Sequence, residues 1–188
     1  MEATGFVLAG GGSTRMGRDK ALLPYRGTTL LEHVASIVRQ AAGTAVIIGN
    51  PERYGSLGFP VYGDQILPCG PIGGIYTALS VTRSEWNLVV ACDMPMLSLS
   101  VLRGLIEHSF RSASNCIAGM GPGGEPQPLC AVYHRRCLPL LEQAIGEKRF
   151  KMRELLPELR SEPVMLDPSV FANINTTDDW ARFEDRPA

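Results

Sequence analysis

Between Leu8 and Lys20 the sequence reads L-A-G-G-G-S-T-R-M-G-R-D-K. Glycines followed by an arginine and a lysine at this spacing are the material of a phosphate site. Glycine lets the backbone come close to an anion, so that main-chain N–H groups can point at its oxygens. Arg15 and Lys20 add full positive charges, and a guanidinium fits phosphate through two parallel donors. The stretch is not a Walker A loop. Gly12 to Gly17 fits G-x-x-x-x-G, but Arg18 and Asp19 stand where Lys and Ser or Thr are required. Nor is it a dinucleotide fingerprint, because after Gly10 and Gly12 the third required glycine falls on Arg15.

Three more polar residues follow apolar runs: Asn50, Asp64 and Asp93. Asp93 comes directly after Leu-Val-Val-Ala-Cys, and a carboxylate buried there alone is costly, so it should be paired or metal-bound. Mg²⁺ uses one or two carboxylates together with substrate phosphates and water, so one Asp beside a triphosphate suffices. Plainer readings stand beside these. Asn50 before Pro51 is a common turn pair, Asp64 after Tyr62 and Gly63 can be a turn residue, and Asp93 can cap a helix near Pro95.

Strands and helices must bring these residues together. Gly5–Ala9 reads as a buried strand ahead of the glycines. Thr28 or Thr29 can cap a helix from about Leu30 to Ala42, ended by Gly43, and Thr44–Ile48 is a β-branched second strand. That is a βαβ unit with parallel strands. A loop or short helix over 51–58 leads to a short strand over 59–62. A helix is expected from about Ile75, then an apolar central strand over 86–91, then a helix to about Phe110. Beyond it, strands are expected at 116–119, 129–133 and 164–166. Helices are expected at 135–145 and up to Leu156, and Asn173–Asp179 opens a last helix capped by Thr176 or Thr177. The segment Gly121–Pro128 is rich in turn formers and is expected to be mobile. In an open α/β sheet, ligands bind at the carboxyl ends of strands, so Gly10, Asn50, Asp64 and Asp93 would converge on one rim.

A chain of 188 residues, 45% hydrophobic and 20% charged, is most simply one folded domain. The net charge is −1 with no basic stripe, which argues against nucleic-acid binding. Any phosphate must be held by local geometry. Five cysteines without a C-x-x-C pair fit a reducing compartment; Cys92, Cys116 and Cys130 read as small buried hydrophobes. His33, His108 and His134 lack ligand spacing, so zinc is not expected. No apolar run is long enough to cross a membrane, the N-terminus lacks a basic n-region, and a cytoplasmic protein is expected.

The pattern L-A-G-G-x-S-x-R-M-G-x-D-K resembles the signature of nucleotidyltransferases of the molybdenum cofactor guanylyltransferase (MobA) type. Cys69–Ile75 (C-G-P-I-G-G-I), Cys92–Pro95 (C-D-M-P) and Asn173–Thr176 (N-I-N-T) extend the likeness from about Gly5 to Asp179. The resemblance implies an α/β chain with a three-layer α/β/α, Rossmann-like nucleotidyltransferase fold and a mostly parallel central sheet. It implies one domain over 1–188, with a nucleotide-binding half to about residue 100 and an acceptor-binding half after it. The implied reaction moves GMP from GTP to the terminal phosphate of molybdenum-molybdopterin, releasing pyrophosphate. Leu8, Ala9, Gly10, Gly11, Lys20, Asn50, Asp64 and Asp93 would contact the nucleotide. Asp93 would be the Mg²⁺ ligand, and Arg15, Lys20 and Asp93 the catalytic set. Gln127, Lys151 and Asn175 are candidates for the anionic acceptor. Partners implied are the substrates and, on the protein side, molybdenum-insertion proteins or recipient molybdoenzymes, with the chain a monomer or weak oligomer. Cytidylyl transfer, another phosphorylated acceptor, and a non-catalytic nucleotide carrier stay open at this point.

Overall fold

The computed structural model describes residues 2–10, 19–66, 69–121 and 123–171. β1 (Ala3–Ala9) sends Phe6 and Leu8 to one face and Val7 and Ala9 to the other, the alternation of a strand covered on both sides. Gly11 and Arg15 lie outside the described residues, as do Asn173, Asn175 and the helix expected there. The Asp19 side chain caps a 3-10 turn over Lys20–Leu22. A small hairpin follows, β2 (Pro24–Tyr25) against β3 (Thr28–Thr29). Its corner residues Arg26 and Gly27 both take positive φ, the twist that matches a two-residue hairpin turn.

α1 (Leu30–Ala42) opens with a capping box between Thr29 and Glu32 and closes at Gly43 with φ 80°. β4 (Ala45–Gly49), α2 (Pro51–Tyr54) and β5 (Val61–Tyr62) come next. α3 (Pro71–Val81) starts at Pro71, earlier than the expected Ile75. Proline's fixed φ suits a first helical position even though the next residues include two glycines. Those glycines are required by packing: a Cβ on Gly74 would lie 2.9 Å from Leu8 Cδ1, and one on Gly73 would lie 2.7 Å from the Ile66 carbonyl. β6 (Trp86–Ala91) and α4 (Leu99–Ser109), capped by Ser98, complete the first half.

β7 (Cys116–Met120) and β8 (Pro126–His134) form a hairpin. β8 therefore begins inside the segment expected to be a mobile turn. A register shift between Ala118 and Gly119 lets Gly119 pair with Gln127 and Met120 with Pro126, so pairing extends past two prolines. The helix expected from Arg135 divides into a 3-10 turn over Arg135–Cys137 and α5 (Leu138–Gly146). α6 (Met152–Leu155) and β9 (Ser161–Met165) follow, the strand starting three residues before the expected Val164. Pro163 is tolerated in β9 because that strand sits at the sheet edge.

The main sheet has the order β5-β4-β1-β6-β8-β7-β9. β5, β4, β1 and β6 are mutually parallel, and β7 is parallel to β9. β8 runs antiparallel to both its neighbours, β6 and β7. One face carries α1 and α4, with Leu30, Leu31, Val34, Val38, Leu102 and Leu105 over Val7, Ile47, Leu88 and Val90. The other face carries α3, α5 and α6, with Ile72, Ile75, Leu79, Leu141 and Leu155 over Phe6, Ile48 and Val89. The result is a three-layer α/β/α fold with a mostly parallel sheet. All five cysteines are buried and free.

Candidate active site

From β1 the chain steps outward to β4 and β5, then returns to place β6 on the other side of β1. The crevice at the carboxyl ends of β1 and β6 is thus the switch point of the sheet, where open α/β folds bind ligands. β1 ends at one wall with Gly10, and Asp93 stands on the other. The Cys92 N–H donates to the Leu8 carbonyl at 3.1 Å, which extends the ladder and fixes Asp93 beside the end of β1. Lys20 Nζ donates to Asp93 Oδ2 at 2.8 Å. Their side chains are 16% and 22% exposed, sheltered yet open to solvent from the rim. Burial, with the Asp93 charge adding to it, pushes the Cys92 thiol up to about 12, so it is no nucleophile at neutral pH.

Asp19 is engaged on both oxygens. Oδ1 accepts from the Ala21 N–H at 3.1 Å, and Oδ2 accepts from the Tyr54 hydroxyl at 2.9 Å and from Arg53 Nη1 at 3.4 Å. Asn50 Oδ1 accepts from the N–H groups of Glu52 and Arg53 and caps α2. That cap uses the carbonyl end of the side chain and leaves the amide end for a ligand. Asp64 Oδ1 accepts from Thr77 Oγ1 at 3.1 Å, which ties it to α3. Burial raises its pKa, opposed by the Thr77 bond. Leu8 and Ala9 are buried, so they can offer a ligand only backbone groups, whereas Gly10 is exposed. Among the described residues nothing lies within 4 Å of where a Cβ on Gly10 would stand.

Residues 5–164 match the MobA-like NTP transferase domain. The chain belongs to this family. A probable molybdenum cofactor guanylyltransferase from Nostoc sp. is 36% identical, across 95% of this chain and 88% of that protein. Another, from Bacillus subtilis, is 32% identical across 99% and 96%. The crystal structure of molybdopterin-guanine dinucleotide biosynthesis protein A from Archaeoglobus fulgidus superposes with a TM-score of 0.82 at 25% identity, covering 97% of each chain.

In this MobA-like domain the remaining candidates among the described residues, Gln127 and Lys151, lie in the second half of the chain. Gln127 stands near the start of β8, and because β8 is reversed, its start lies on the same rim as Asp93. A Cβ on Gly121 would lie 3.2 Å from Gln127 Nε2, so this glycine makes room for the amide. Lys151 precedes α6 and pairs with Glu154 at 2.9 Å, a strongly exposed contact. Its neighbours in the basic run also hold acids: Arg149 pairs with Glu147 and Glu158, and Arg153 with Glu125. The last pair joins the β7–β8 connection to α6 and had no sequence signal, because its partners are far apart in the chain.

No group of three or more His, Cys, Asp or Glu side chains that could hold a metal occurs among the described residues. For a metal that shares its ligands with a substrate, one protein carboxylate is enough. Asp93 suits that use, since Mg²⁺ is commonly held by one or two carboxylates and completed by phosphate oxygens and water. Asp19 suits it less, since both its oxygens already accept hydrogen bonds from the protein.

Proposed function

We propose that this chain is a molybdenum cofactor guanylyltransferase. It transfers GMP from GTP to the terminal phosphate of molybdenum-molybdopterin, giving molybdopterin guanine dinucleotide and pyrophosphate. The reading rests on the family and on its relatives' names. The observation that carries it to a mechanism is the Lys20–Asp93 pair at the switch point.

An acceptor phosphate oxygen forms the new bond to the α-phosphorus of GTP, and the α-phosphorus–oxygen bond to pyrophosphate breaks. The attacking phosphate is already ionised at neutral pH, so no general base is needed. The work left to the protein is positioning and charge compensation. Lys20 holds Asp93, and its ammonium charge would face nucleotide phosphates bound at this rim. Arg15 would offset charge on the departing pyrophosphate. Asp93 would hold Mg²⁺, which when bound supplies positive charge against the phosphates. Gly10 and Gly11, with the backbone of Leu8 and Ala9, would border the base and ribose, while Asn50 and Asp64 complete that side. Gln127, Lys151 and Asn175 would serve the acceptor. Residues to about 100 would thus serve the nucleotide and the rest the pterin, within one cytoplasmic domain.

The test is a competition. Purified protein receives molybdenum-loaded molybdopterin, Mg²⁺ and equal GTP and CTP, and the dinucleotide is weighed by mass spectrometry. A guanine adduct is expected. A cytosine adduct overturns the choice of base, and the absence of any adduct overturns the transfer reaction itself.

A further inference from the structure

Tyr54 is a residue that the reaction chemistry does not call for, yet its hydroxyl is bonded to Asp19, the residue before Lys20. It ends α2, a helix of four residues, and is 4% exposed. Its ring lies against the ends of β1 and β4. A Cβ on Gly49 would lie 2.8 Å from Tyr54 Cε2 and 2.6 Å from the Ala9 carbonyl, so glycine at 49 is what allows the ring to settle there. From this seat the hydroxyl donates to Asp19 Oδ2 at 2.9 Å. Burial and the Asp19 carboxylate both favour the protonated phenol, so it stays a donor at any pH the enzyme meets.

The contact continues in two directions. Asp19 Oδ1 holds the Ala21 N–H and thereby shapes the 3-10 turn that carries Lys20. Lys20 Nζ then reaches Asp93 on the far side of the crevice. Toward the other side, α2 is capped by Asn50 at the end of β4. A run of hydrogen bonds and one short helix therefore joins the end of β4 to Lys20. Arg53 adds only a long and mostly exposed contact to the same Asp19 oxygen, which is worth little in water.

We propose that Tyr54 is a positioning residue for nucleotidyl transfer: its hydroxyl anchors Asp19, and through the Asp19 cap it sets the place of Lys20 against Asp93. This rests on the guanylyltransferase reading above. The physical reason is the sensitivity of phosphoryl chemistry to placement. A lysine side chain has many rotamers, and a cap fixed by a buried phenol reduces the backbone positions from which it starts. Tyr54→Phe removes the donor while keeping the ring that fills the end of the core.

The experiment compares wild type, Tyr54→Phe, Lys20→Gln and the double variant in Mg²⁺-dependent formation of the guanine dinucleotide, with GTP varied. Tyr54→Phe should lower kcat by roughly tenfold with a smaller change in KM, since a misplaced charge costs more in the transition state than in binding. In the Lys20→Gln background, where the group being positioned is gone, the same change should have about no further effect. Amide exchange should rise in the segment 20–23, where the Asp19 cap is loosened, while the melting temperature stays near that of wild type. An unchanged kcat in Tyr54→Phe, or an equal loss in both backgrounds, overturns the proposal. An inactive wild type overturns the functional reading beneath it, and is distinguished from failure of the positioning role by the wild-type assay alone.

Discussion

β5, β4, β1 and β6 all run in one direction and deliver Asp64, Asn50, Gly10 and Asp93 from their carboxyl ends. β8, the next strand in the sheet, runs the other way and brings Gln127 to the same rim from its start. Its carboxyl end, His134 to Arg136, emerges at the opposite edge, where the His134 ring meets Trp86 edge to face. The two regions of one sheet thus supply the rim by opposite means. In the parallel region a polar residue needs only to follow an apolar strand. In the reversed region, position depends on where a hairpin begins to pair. The parallel region is suited to building a site of fixed geometry, here the Lys20–Asp93 crevice. The reversed region offers a rim made of a glycine-rich connection and ion pairs on the surface, such as Glu125 with Arg153.

If that division holds, damage to the parallel rim should cost chemistry, and damage to the reversed region away from Gln127 should cost stability. The largest effect belongs to Asp93→Ala. Turnover should fall by about two to three orders of magnitude, as for the loss of a preorganised charge at the reacting phosphates. The melting temperature should change little, because the Lys20–Asp93 pair is partly exposed and contributes modestly to folding. Steady-state kinetics and a thermal melt on the same sample decide this, and a turnover near wild type would end the role given to Asp93.

Tyr133→Phe probes the other region. The fully buried Tyr133 hydroxyl donates to the Pro128 carbonyl at 2.8 Å and braces the start of β8. Its loss leaves a buried acceptor without its partner and should cost about 1–2 kcal/mol. Urea denaturation reads the loss, while the GTP KM should stay close to wild type. A changed GTP KM with unchanged stability would contradict the division.

The smallest effect is at the edge. Glu162 on β9 accepts from Ser112 and Ser114 and pairs with His108 at the end of α4. The Ser112 bond first, then the His108 bond, hold the Glu162 carboxyl below its ordinary value of 4.5. A depressed carboxyl pKa adds stability that is fully present above the unfolded value and is lost as pH falls through the folded one. Glu162→Gln should therefore melt below wild type near pH 6, and the gap should close as pH falls below about 4.5, the unperturbed carboxyl value. Because the pair is exposed, the gap at pH 6 should stay under about 1 kcal/mol. A gap that widens in acid would reverse the sign assigned to this cluster.

Several features of the site could be read before folding because they are local. Glycines before cations, an apolar run before Asp93, and Thr29 with Glu32 at the head of a helix each state their own physics within a few residues. The rim could be foreseen because βαβ connections leave strand ends on one side. What failed to show was set by neighbours distant in the chain. α3 could begin at Pro71 only because Leu8 and the Ile66 carbonyl press on two glycines that would otherwise weaken a helix. β8 could extend through Pro126 and Pro128 only because extra residues of β8, between Gln127 and Ala131, shift its register and align it with Gly119 and Met120 of β7. Asn50 looked like either a ligand or a turn residue, and the structure places its carbonyl oxygen in the cap of α2.

The sequence by itself determined the fold class, the family and the identity of the charged residues, since hydrophobic periodicity and motif spacing are properties of short segments. Only the tertiary structure decided which of these charges meet. Lys20 and Asp93 are 73 positions apart, and Tyr54 and Asp19 are 35 apart. No local pattern selects those pairs, because side-chain contacts across a sheet follow from strand order. Here that order was fixed by burial of the whole core on both faces of β1 and β6.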